Sequence, residues 1–266
     1  MLYEKVKFDE RDENAFLEVF ASDVIDGFVR KAILVIPGGA YSSVCASREG
    51  EPIAQAFVPY GYNAFVLHYT VNEKPFPAHL VQASKAIKHI KDNADKYNID
   101  PENIFVVGFS AGGHLAATVG TMWHKDEVYK EIDMPYGYNK PTGMMLIYPV
   151  ITGKYYNARS IENLLMKEKL SEADIEMTSA ASAVSEKTSP AFIFHTSNDE
   201  MVDVRHSLAM STALAESGIK FEMHIYPDGP HGVALGNEIT KCGVEKWCNP
   251  SIAEWVKNAA SWANSL

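Results

Sequence analysis

The sequence shows no excess of basic residues, no long apolar run and no recognisable signal peptide. Lys and Arg number 24 against 34 Asp and Glu, so the formal net charge is −10 at pH 7. Nucleic acids and anionic membrane surfaces bind clustered positive charge, which this composition disfavours. No apolar run approaches the roughly 20 residues that cross a bilayer, and the first ten residues carry no apolar segment of a leader. We therefore expect a cytoplasmic protein with no nucleic-acid or membrane partner.

Cysteine is scarce as well. The three cysteines, Cys45, Cys242 and Cys248, are an odd number and show no disulfide-like pattern of spacings. Cys242 and Cys248 are close enough in sequence to bond to each other or to bind a metal, but no His or Asp pattern accompanies them. The thiols are therefore expected to be free or buried in a reducing compartment, without a metal site.

The remaining composition is that of an ordinary globular protein. Apolar residues make up 47% and charged residues 22% of the 266 residues, which suits a single domain spanning 1–266. Apolar or alternating segments predict strands at 2–8, 15–20, 32–36, 64–67, 104–107, 144–148, 192–194 and 221–225. Apolar spacings of three and four predict helices at 77–97, at 207–217 and from 250 onward. This alternation predicts an α/β fold with a mainly parallel sheet, covered by helices on both faces, and an antiparallel edge formed by the first two strands.

The segment 149–190 does not fit this alternation. It is long and mixed in composition, and it is helix-prone at 161–169. We interpret it as an insertion near the mouth of the active site, a lid within the single domain rather than a second domain. Its exposed apolar residues are a candidate homodimer interface.

A G-x-S-x-G motif at 108–112 follows the apolar strand 104–107 and precedes a helix-like segment. A strand, this motif and a helix in that order are the context of a nucleophile elbow, in which Ser110 sits on a tight, strained turn. The neighbours Gly108 and Gly112 must be small so that strand and helix pack closely. The alternative is a glycine-rich turn without chemistry, and the strand–helix context favours the nucleophile.

A serine hydroxyl needs a base, and the base needs a group that orients it. In a parallel sheet these partners are expected just past the carboxyl ends of later strands. Asp199 follows strand 192–194, and His231 follows strand 221–225. We therefore predict that Ser110 is the nucleophile, His231 the base and Asp199 the orienting acid.

Other acidic and histidine residues compete for these roles. The competing carboxylates near Asp199 and His231 are Glu200, Asp203 and Asp228. Asp203 suits the first turn or cap of the next helix, and Asp228 suits a Pro-Asp-Gly turn. The competing histidines are His68, His114 and His195. His68 and His195 do not fit the chain order of nucleophile, acid and base, and His114 lies one helical turn after the serine, so we expect packing or hydrogen-bonding roles for them.

Backbone N–H groups are needed to hold the oxyanion that forms during acyl transfer. The strand 32–36 ends in Pro37-Gly38-Gly39-Ala40-Tyr41, whose small residues allow close approach to a reacting carbonyl. We predict that Gly39 and Ala40 donate from this loop and that Ala111, directly after the serine, donates from the elbow. The alternative is a tight glycine turn without a role in binding.

Four motifs in this order carry a resemblance to a known family. They are Pro37-Gly-Gly-Ala-Tyr41, Gly108-Phe-Ser-Ala-Gly-Gly-His-Leu-Ala116, His195-Thr-x-x-Asp199 and Gly229-Pro-His-Gly232. Over essentially its whole length the chain resembles the α/β-hydrolase fold, and within it the esterase/lipase group that includes small bacterial acetyl esterases and acetylxylan-esterase-like enzymes. Many of these relatives have His-Gly-Gly-Gly at the oxyanion loop, where this chain has Pro37 and Ala40 at the first and last places.

The resemblance implies a serine esterase that works through an acyl-enzyme, without metal or cofactor. It further implies a short acyl group such as acetyl, with an acetylated sugar as a candidate substrate. Tyr41, Trp123 and the Tyr155-Tyr156 pair are candidates for a sugar platform, although aromatic residues more often belong to the core. Two other functions stay open at this point, a peptidase of the same fold and a non-catalytic ligand-binding relative. A peptidase would usually carry a large additional domain, and a non-catalytic relative would typically lack a triad residue.

Overall fold

The computed structural model describes residues 1–9, 12–155 and 158–266. Eight strands form one sheet: β1 (Leu2–Lys7), β2 (Phe16–Ala21), β3 (Arg30–Ile36), β4 (Tyr62–His68), β5 (Ile99–Phe109), β6 (Gly143–Ile147), β7 (Ala191–Thr196) and β8 (Phe221–Tyr226). Each of the strands expected from the apolar segments is confirmed, and most extend by a few residues beyond the predicted bounds.

The strand order in the sheet is β1-β2-β4-β3-β5-β6-β7-β8. The pairs β1–β2 and β2–β4 are antiparallel, and every pair from β4–β3 to β7–β8 is parallel. Parallel neighbours require crossover connections, which the helices supply. This architecture confirms the predicted α/β-hydrolase fold with an antiparallel edge.

Eleven α-helices connect or flank the strands in the part of the chain that the structure describes. They are α1 (Ala46–Glu49), α2 (Glu51–Phe57), α3 (Ala78–Asp92), α4 (Ala94–Tyr97), α5 (Ala111–Met122), α6 (Asp126–Glu131), α7 (Arg159–Leu165), α8 (Glu172–Thr178), α9 (Arg205–Glu216), α10 (Pro250–Ala253) and α11 (Trp255–Ala263). Single turns of 3₁₀-helix occur at Val58–Tyr60 and Glu245–Trp247.

The continuous helix predicted over 77–97 is wrong in one respect. Asn93 leaves the helical conformation, with φ −110° and ψ 24°, and divides the segment into α3 and α4. Its side-chain amide donates a 2.8 Å hydrogen bond to the carbonyl of His89. This local side-chain bond competes with helix continuation, as is typical of Asn.

Two hydrophobic layers cover the sheet. Alternate side chains of β3 point to opposite faces, so that Leu34 packs into one layer while Ile33 and Val35 pack into the other. The first layer includes apolar residues of α3, α5 and α9, and the second includes residues of α2 and α11. Burial on both faces explains why the parallel strands are continuous apolar runs in the sequence.

The segment 149–190 contains α7 and α8. Helix α7 ends at Leu165, earlier than predicted, because Met166 has a left-handed φ of 55°. Asn163 in α7 donates a 2.8 Å hydrogen bond to the carbonyl of Ala40, so the segment lies against the predicted oxyanion loop. A lid role within a single domain of 1–266 remains a prediction.

Two observations bear on the expectations from composition. No helix within the described ranges is long and apolar enough to cross a membrane. Cys45, Cys242 and Cys248 are all free thiols, and Cys45 and Cys242 are exposed.

Candidate active site

Ser110 lies at the point where β5 ends and α5 begins. Its backbone has φ 54° and ψ −119°, a conformation that is strained for any residue with a Cβ. The Ser110 N–H donates to the carbonyl of Ile147 on β6, and the Ser110 carbonyl accepts from the N–H groups of His114 and Val150. These bonds hold the strained turn in place at the carboxyl edge of the sheet.

The glycines on either side of this turn are required by space. A Cβ on Gly108 would lie 2.2 Å from the carbonyl oxygen of Gly112, and a Cβ on Gly112 would lie 2.1 Å from the carbonyl oxygen of Ile36. Real Cβ contacts are never this short, and the obstructing atoms are backbone. The expectation that both neighbours of Ser110 must be small therefore agrees with the geometry.

His231 connects Ser110 to Asp199. Its Nδ1 lies 2.7 Å from Oδ2 of Asp199, and its Nε2 lies 2.9 Å from Oγ of Ser110. Because an ionised carboxylate only accepts hydrogen bonds, Nδ1 carries the proton and donates, and Nε2 is left to accept from the serine hydroxyl. The structure thus brings the three predicted residues into one chain of hydrogen bonds.

The Asp199 carboxylate is fully buried and fully engaged. Its side chain has no exposed area, and its Oδ1 accepts the N–H groups of Met201 and Val202, each at 2.9 Å. Burial opposes ionisation, but hydrogen bonds from His195 and His231 and from the Val202 N–H outweigh it and hold the pKa of Asp199 well below its usual value. Asp199 is therefore a carboxylate at any pH near neutrality.

His195 supports the acid rather than replacing the base. Its Nε2 lies 2.8 Å from the carbonyl of Val202 and 3.4 Å from Oδ2 of Asp199, while its Nδ1 lies 2.7 Å from the Ser207 hydroxyl. His195 is completely buried on β7. It matches the predicted hydrogen-bonding role beside the site.

Three of the other competing residues, Asp203, Asp228 and His68, have partners away from Ser110. Asp203 forms an ion pair with Arg205 at 2.8 Å and accepts the Arg205 backbone N–H. Asp228 accepts a 2.5 Å hydrogen bond from the Asn198 amide. His68 stacks on Phe16 at the antiparallel edge of the sheet.

His114 is held by two hydrogen bonds on the side of α5 that faces the core. Its Nδ1 lies 2.8 Å from the Tyr41 hydroxyl, and its Nε2 lies 2.7 Å from the carbonyl of Thr178. Burial lowers the pKa of His114 to about 4, so the ring is neutral. A packing role, as expected from its position, is consistent with these contacts.

The loop after β3 is shaped by three consecutive left-handed residues. Gly39, Ala40 and Tyr41 have φ values of 128°, 54° and 55°. The N–H of Gly38 is committed to the Glu49 carboxylate at 2.8 Å. By contrast, the N–H groups of Gly39 and Ala40 donate no hydrogen bond to any of the described residues.

Two features bear on the predicted oxyanion donors. A Cβ on Gly38 would lie 3.0 Å from Cβ of Ser110, so the loop passes directly over the nucleophile. Ala111 is the first residue of α5, where the N–H has no partner inside the helix. The assignment of Gly39, Ala40 and Ala111 as oxyanion donors remains a prediction.

Sequence analysis missed Arg48 and Glu49, which lie on the short helix α1. Glu49 is buried, and its second oxygen accepts the Tyr148 hydroxyl at 2.8 Å. Burial, reinforced by the charge of Glu49, raises the pKa of Tyr148 well above its usual value, so the hydroxyl stays protonated and donates. The Arg48 guanidinium donates to the carbonyls of Gly232 and Thr240. No signal in the sequence distinguishes this pair from exposed charged residues.

The aromatic residues proposed for a sugar platform divide into two groups. Tyr41 and Trp123 are buried, with 1% and 5% exposure, and belong to the core. Tyr155 contacts His206, with ring centroids 5.0 Å apart, whereas Tyr156 lies outside the described residues. Trp247, which sequence analysis did not single out, lines a cavity with His231.

Comparison with known proteins decides the family. The BD-FAE family model matches residues 26–214, which include Ser110, Asp199 and the loop after β3. The chain belongs to the BD-FAE family. This membership confirms the predicted resemblance to acetyl-esterase-like α/β-hydrolases.

Relatives with curated names and solved structures agree with this family. The chain is 38% identical over 220 residues to endo-1,4-beta-xylanase B of Butyrivibrio fibrisolvens, covering 80% of this chain and 34% of that protein. It is 29% identical over 211 residues to acetylxylan esterase of Xylanibacter ruminicola, covering 77% and 42%. It is 32% identical to the acetyl ester-xyloside bifunctional hydrolase of Caldicellulosiruptor lactoaceticus, with a TM-score of 0.83 and coverage of 98% and 96%.

The extent of these matches differs between sequences and structures. The chain spans between a third and a half of the length of the two curated relatives, but nearly the whole of the Caldicellulosiruptor structure. Together the comparisons confirm the predicted α/β-hydrolase fold, and one of the curated relatives is named an acetylxylan esterase.

Proposed function

We propose that this chain is a serine carboxylesterase that hydrolyses short-acyl esters, acetyl esters of sugars in particular, through an acyl-enzyme. The observation that carries the proposal is the continuous chain of hydrogen bonds from Ser110 through His231 to Asp199. The geometry meets the requirement for an activated serine, in which a base contacts the hydroxyl and a third group orients the base.

In the first step, Nε2 of His231 takes the proton of the Ser110 hydroxyl as Oγ attacks the ester carbonyl. The imidazolium that forms is stabilised by the ionised Asp199, whose low pKa keeps its charge. Backbone N–H groups of Gly39, Ala40 and Ala111 hold the oxyanion. The tetrahedral intermediate collapses when His231 gives its proton to the alcohol oxygen, and the alcohol leaves.

In the second step, water replaces the alcohol. His231 accepts a proton from this water as it attacks the acyl-Ser110 carbonyl, and the same N–H groups hold the second oxyanion. Collapse returns the proton to Oγ of Ser110 and releases the carboxylic acid. The cycle needs no group beyond the side chains and backbone named above.

The names of two similar proteins support acetyl as the acyl group and a sugar as the alcohol. One relative is named an acetylxylan esterase and another an acetyl ester-xyloside hydrolase. For this chain, both imply a small acyl group and a carbohydrate alcohol.

The decisive experiment compares hydrolysis of p-nitrophenyl esters from acetate to octanoate by the wild type and Ser110→Ala. We expect rates that fall steeply beyond acetate or butyrate, and a Ser110→Ala variant whose kcat is lower by about 10⁴-fold or more. A serine-directed phosphonate should inactivate the wild type. Ser265→Ala is the matched control, because its hydroxyl bonds to the Trp262 carbonyl after α11, and it should keep full activity.

Two outcomes would overturn the proposal. Wild-type turnover by Ser110→Ala would show that another group is the nucleophile. Cleavage of amide substrates by a wild type that leaves every ester intact would favour a peptidase of the same fold.

A further inference from the structure

We propose that the cavity between His231 and Trp247 is the subsite for the alcohol part of the substrate, and that it takes a neutral saccharide. The inference rests on the proposed esterase function and names the alcohol that leaves in its first step. It assigns a binding role to Trp247 and Glu200, neither of which belongs to the hydrogen-bonded chain of Ser110, His231 and Asp199.

The cavity has a volume of about 580 Å³, within the range of about 300–1,000 Å³ that small-molecule sites occupy. Residues from three segments line it, at 198–201, 228–231 and 246–249. The first two segments follow β7 and β8 and carry the triad acid and base. The third overlaps the 3₁₀ turn Glu245–Trp247. Because His231 is itself a lining residue, the cavity lies beside it.

The chemistry of the reaction puts the alcohol on this side. His231 protonates the leaving oxygen, so that oxygen must lie within hydrogen-bond distance of Nε2. The remainder of the alcohol then extends past the imidazole into the cavity that His231 lines. The carbonyl oxygen of the ester then faces the backbone N–H groups of the oxyanion loop.

The polar groups of the cavity suit hydroxyl groups. Glu200 is exposed, and its carboxylate forms no hydrogen bond or ion pair with the described residues. Asp228 accepts from Asn198 through Oδ1, which leaves Oδ2 to accept from a ligand. Carboxylates accept hydrogen bonds from hydroxyls, whereas an aliphatic alcohol would desolvate them without replacing the lost bonds.

The charged residues of the cavity further restrict the class of alcohol that it can bind. Two residues with carboxylates, Glu200 and Asp228, and one with an ammonium group, Lys246, line the cavity. A uronic acid or another anionic alcohol would add like charge to this excess. A neutral polyhydroxy compound meets the carboxylates without repulsion.

Trp247 supplies a flat apolar surface for the C–H face of a sugar ring. The Arg48 guanidinium lies 3.7 Å from the centroid of the Trp247 ring. Because Arg48 also bonds to the Gly232 and Thr240 carbonyls, the indole is fixed relative to the His231 loop before substrate arrives. A preorganised ring loses less freedom on binding.

The test compares two acetyl esters, acetylated xylotriose and ethyl acetate, which share the acyl group and differ in the alcohol. We expect Trp247→Ala to lower the ratio of kcat/KM for acetylated xylotriose over ethyl acetate by about tenfold. Glu200→Gln, which leaves the contact between Arg48 and Trp247 intact, should lower the ratio several-fold. The control is Tyr60→Ala, which removes an exposed aromatic side chain from the other 3₁₀ turn, outside the cavity, and should not change the ratio.

A second measurement does not depend on cleavage of a sugar ester. Unacetylated xylotriose should inhibit ethyl acetate hydrolysis by the wild type competitively, and a uronic-acid trimer of equal length should inhibit more weakly. An unchanged ratio in Trp247→Ala and Glu200→Gln, or no inhibition by xylotriose, would overturn the subsite while the esterase proposal stands. If the wild type hydrolyses neither ester, the proposed function itself fails. Should Trp247→Ala not fold, Glu200→Gln and the inhibition assay decide the question.

Discussion

Gly38 and Glu49 are joined by a 2.8 Å hydrogen bond, which the Gly38 N–H donates to Oε2 of the buried carboxylate. The other carboxylate oxygen accepts the Tyr148 hydroxyl at 2.8 Å, and that hydroxyl oxygen accepts the N–H of Ala234 at 3.1 Å. One carboxylate thus connects the loop that passes over Ser110 with the loop that follows His231. We infer that Glu49 positions both loops without contacting the substrate.

Replacement of Glu49 by Gln tests this positioning role. The amide has one accepting oxygen, so its NH₂ group would face either the Gly38 N–H or the Tyr148 hydroxyl. We expect Glu49→Gln to lower the free energy of unfolding by about 1–3 kcal/mol and kcat on p-nitrophenyl acetate by about tenfold, with a smaller change in KM. The control is Glu51→Gln at the start of α2, where the carboxylate pairs with exposed Gln55. Equal stability and kcat in both variants would contradict the role of Glu49.

Arg48, next to Glu49 in α1, is expected to hold the histidine loop as well. Arg48→Met keeps an apolar stem but removes the bonds to the Gly232 and Thr240 carbonyls. We expect kcat for ethyl acetate to fall by about tenfold, and Arg48→Lys to recover part of the loss because Lys donates from a single point. Arg205→Met removes an exposed arginine that pairs with Asp203 and should leave kcat unchanged. An increase in KM with an unchanged kcat would show that Arg48 contributes to substrate binding rather than to positioning of the histidine loop.

Position 112, two residues after Ser110, should tolerate no residue with a Cβ atom. In Gly112→Ala the new atom would lie 2.1 Å from the Ile36 carbonyl oxygen and 2.4 Å from that of Pro37. We expect a loss of about 3 kcal/mol or more in the free energy of unfolding, because both obstacles are backbone. Gly218→Ala is the comparison, since Gly218 has a left-handed φ of 67° but open space around it. That variant should lose about 1 kcal/mol from backbone strain, and an equal loss in both would contradict the steric argument.

Much of the sheet and the three residues of the hydrogen-bonded chain could be predicted because their signals are local. Buried parallel strands are continuous apolar runs, and residues just past their carboxyl ends meet at one edge of the sheet. Ser110, Asp199 and His231 each follow such a run, and the structure brings them within hydrogen-bond distance. Chain order alone separated His231 from His195, which lies closer to Asp199 in sequence.

The parts that could not be predicted depend on long-range contacts. Helix α1 has four residues, too few for an apolar period, so the segment that carries Arg48 and Glu49 had no helical signal. The structural role of Glu49 comes from its hydrogen bonds with Gly38, 11 residues away, and with Tyr148, 99 residues away. Trp247 gains its position beside His231 through Arg48, and nothing near it in the sequence indicates this neighbour.

The ionised state of Asp199 predicts a pH dependence with a definite sign. The folded-state pKa of Asp199 lies below its ordinary value of about 3.9. Asp199 therefore contributes stability that is present above that ordinary value and is lost as the pH falls toward the folded-state pKa. Asp199→Asn cannot ionise, although its Oδ1 can still accept from Met201 and Val202. We expect the variant to be less stable than the wild type at pH 7, with a difference that narrows below about pH 4.

Urea unfolding of both proteins at pH 7, 5 and 3.5 measures this difference, and activity supplies a second readout. In Asp199→Asn the amide NH₂ group takes the place of Oδ2 and cannot accept the hydrogen bond from Nδ1 of His231 unless the amide flips. We therefore expect kcat to fall by about 10⁴-fold. Asp26→Asn removes an exposed carboxylate on the surface, and its stability difference from the wild type should stay small at each pH. A gap between the wild type and Asp199→Asn that is constant from pH 7 to 3.5 would mean that hydrogen bonding, rather than the charge of Asp199, stabilises this part of the fold.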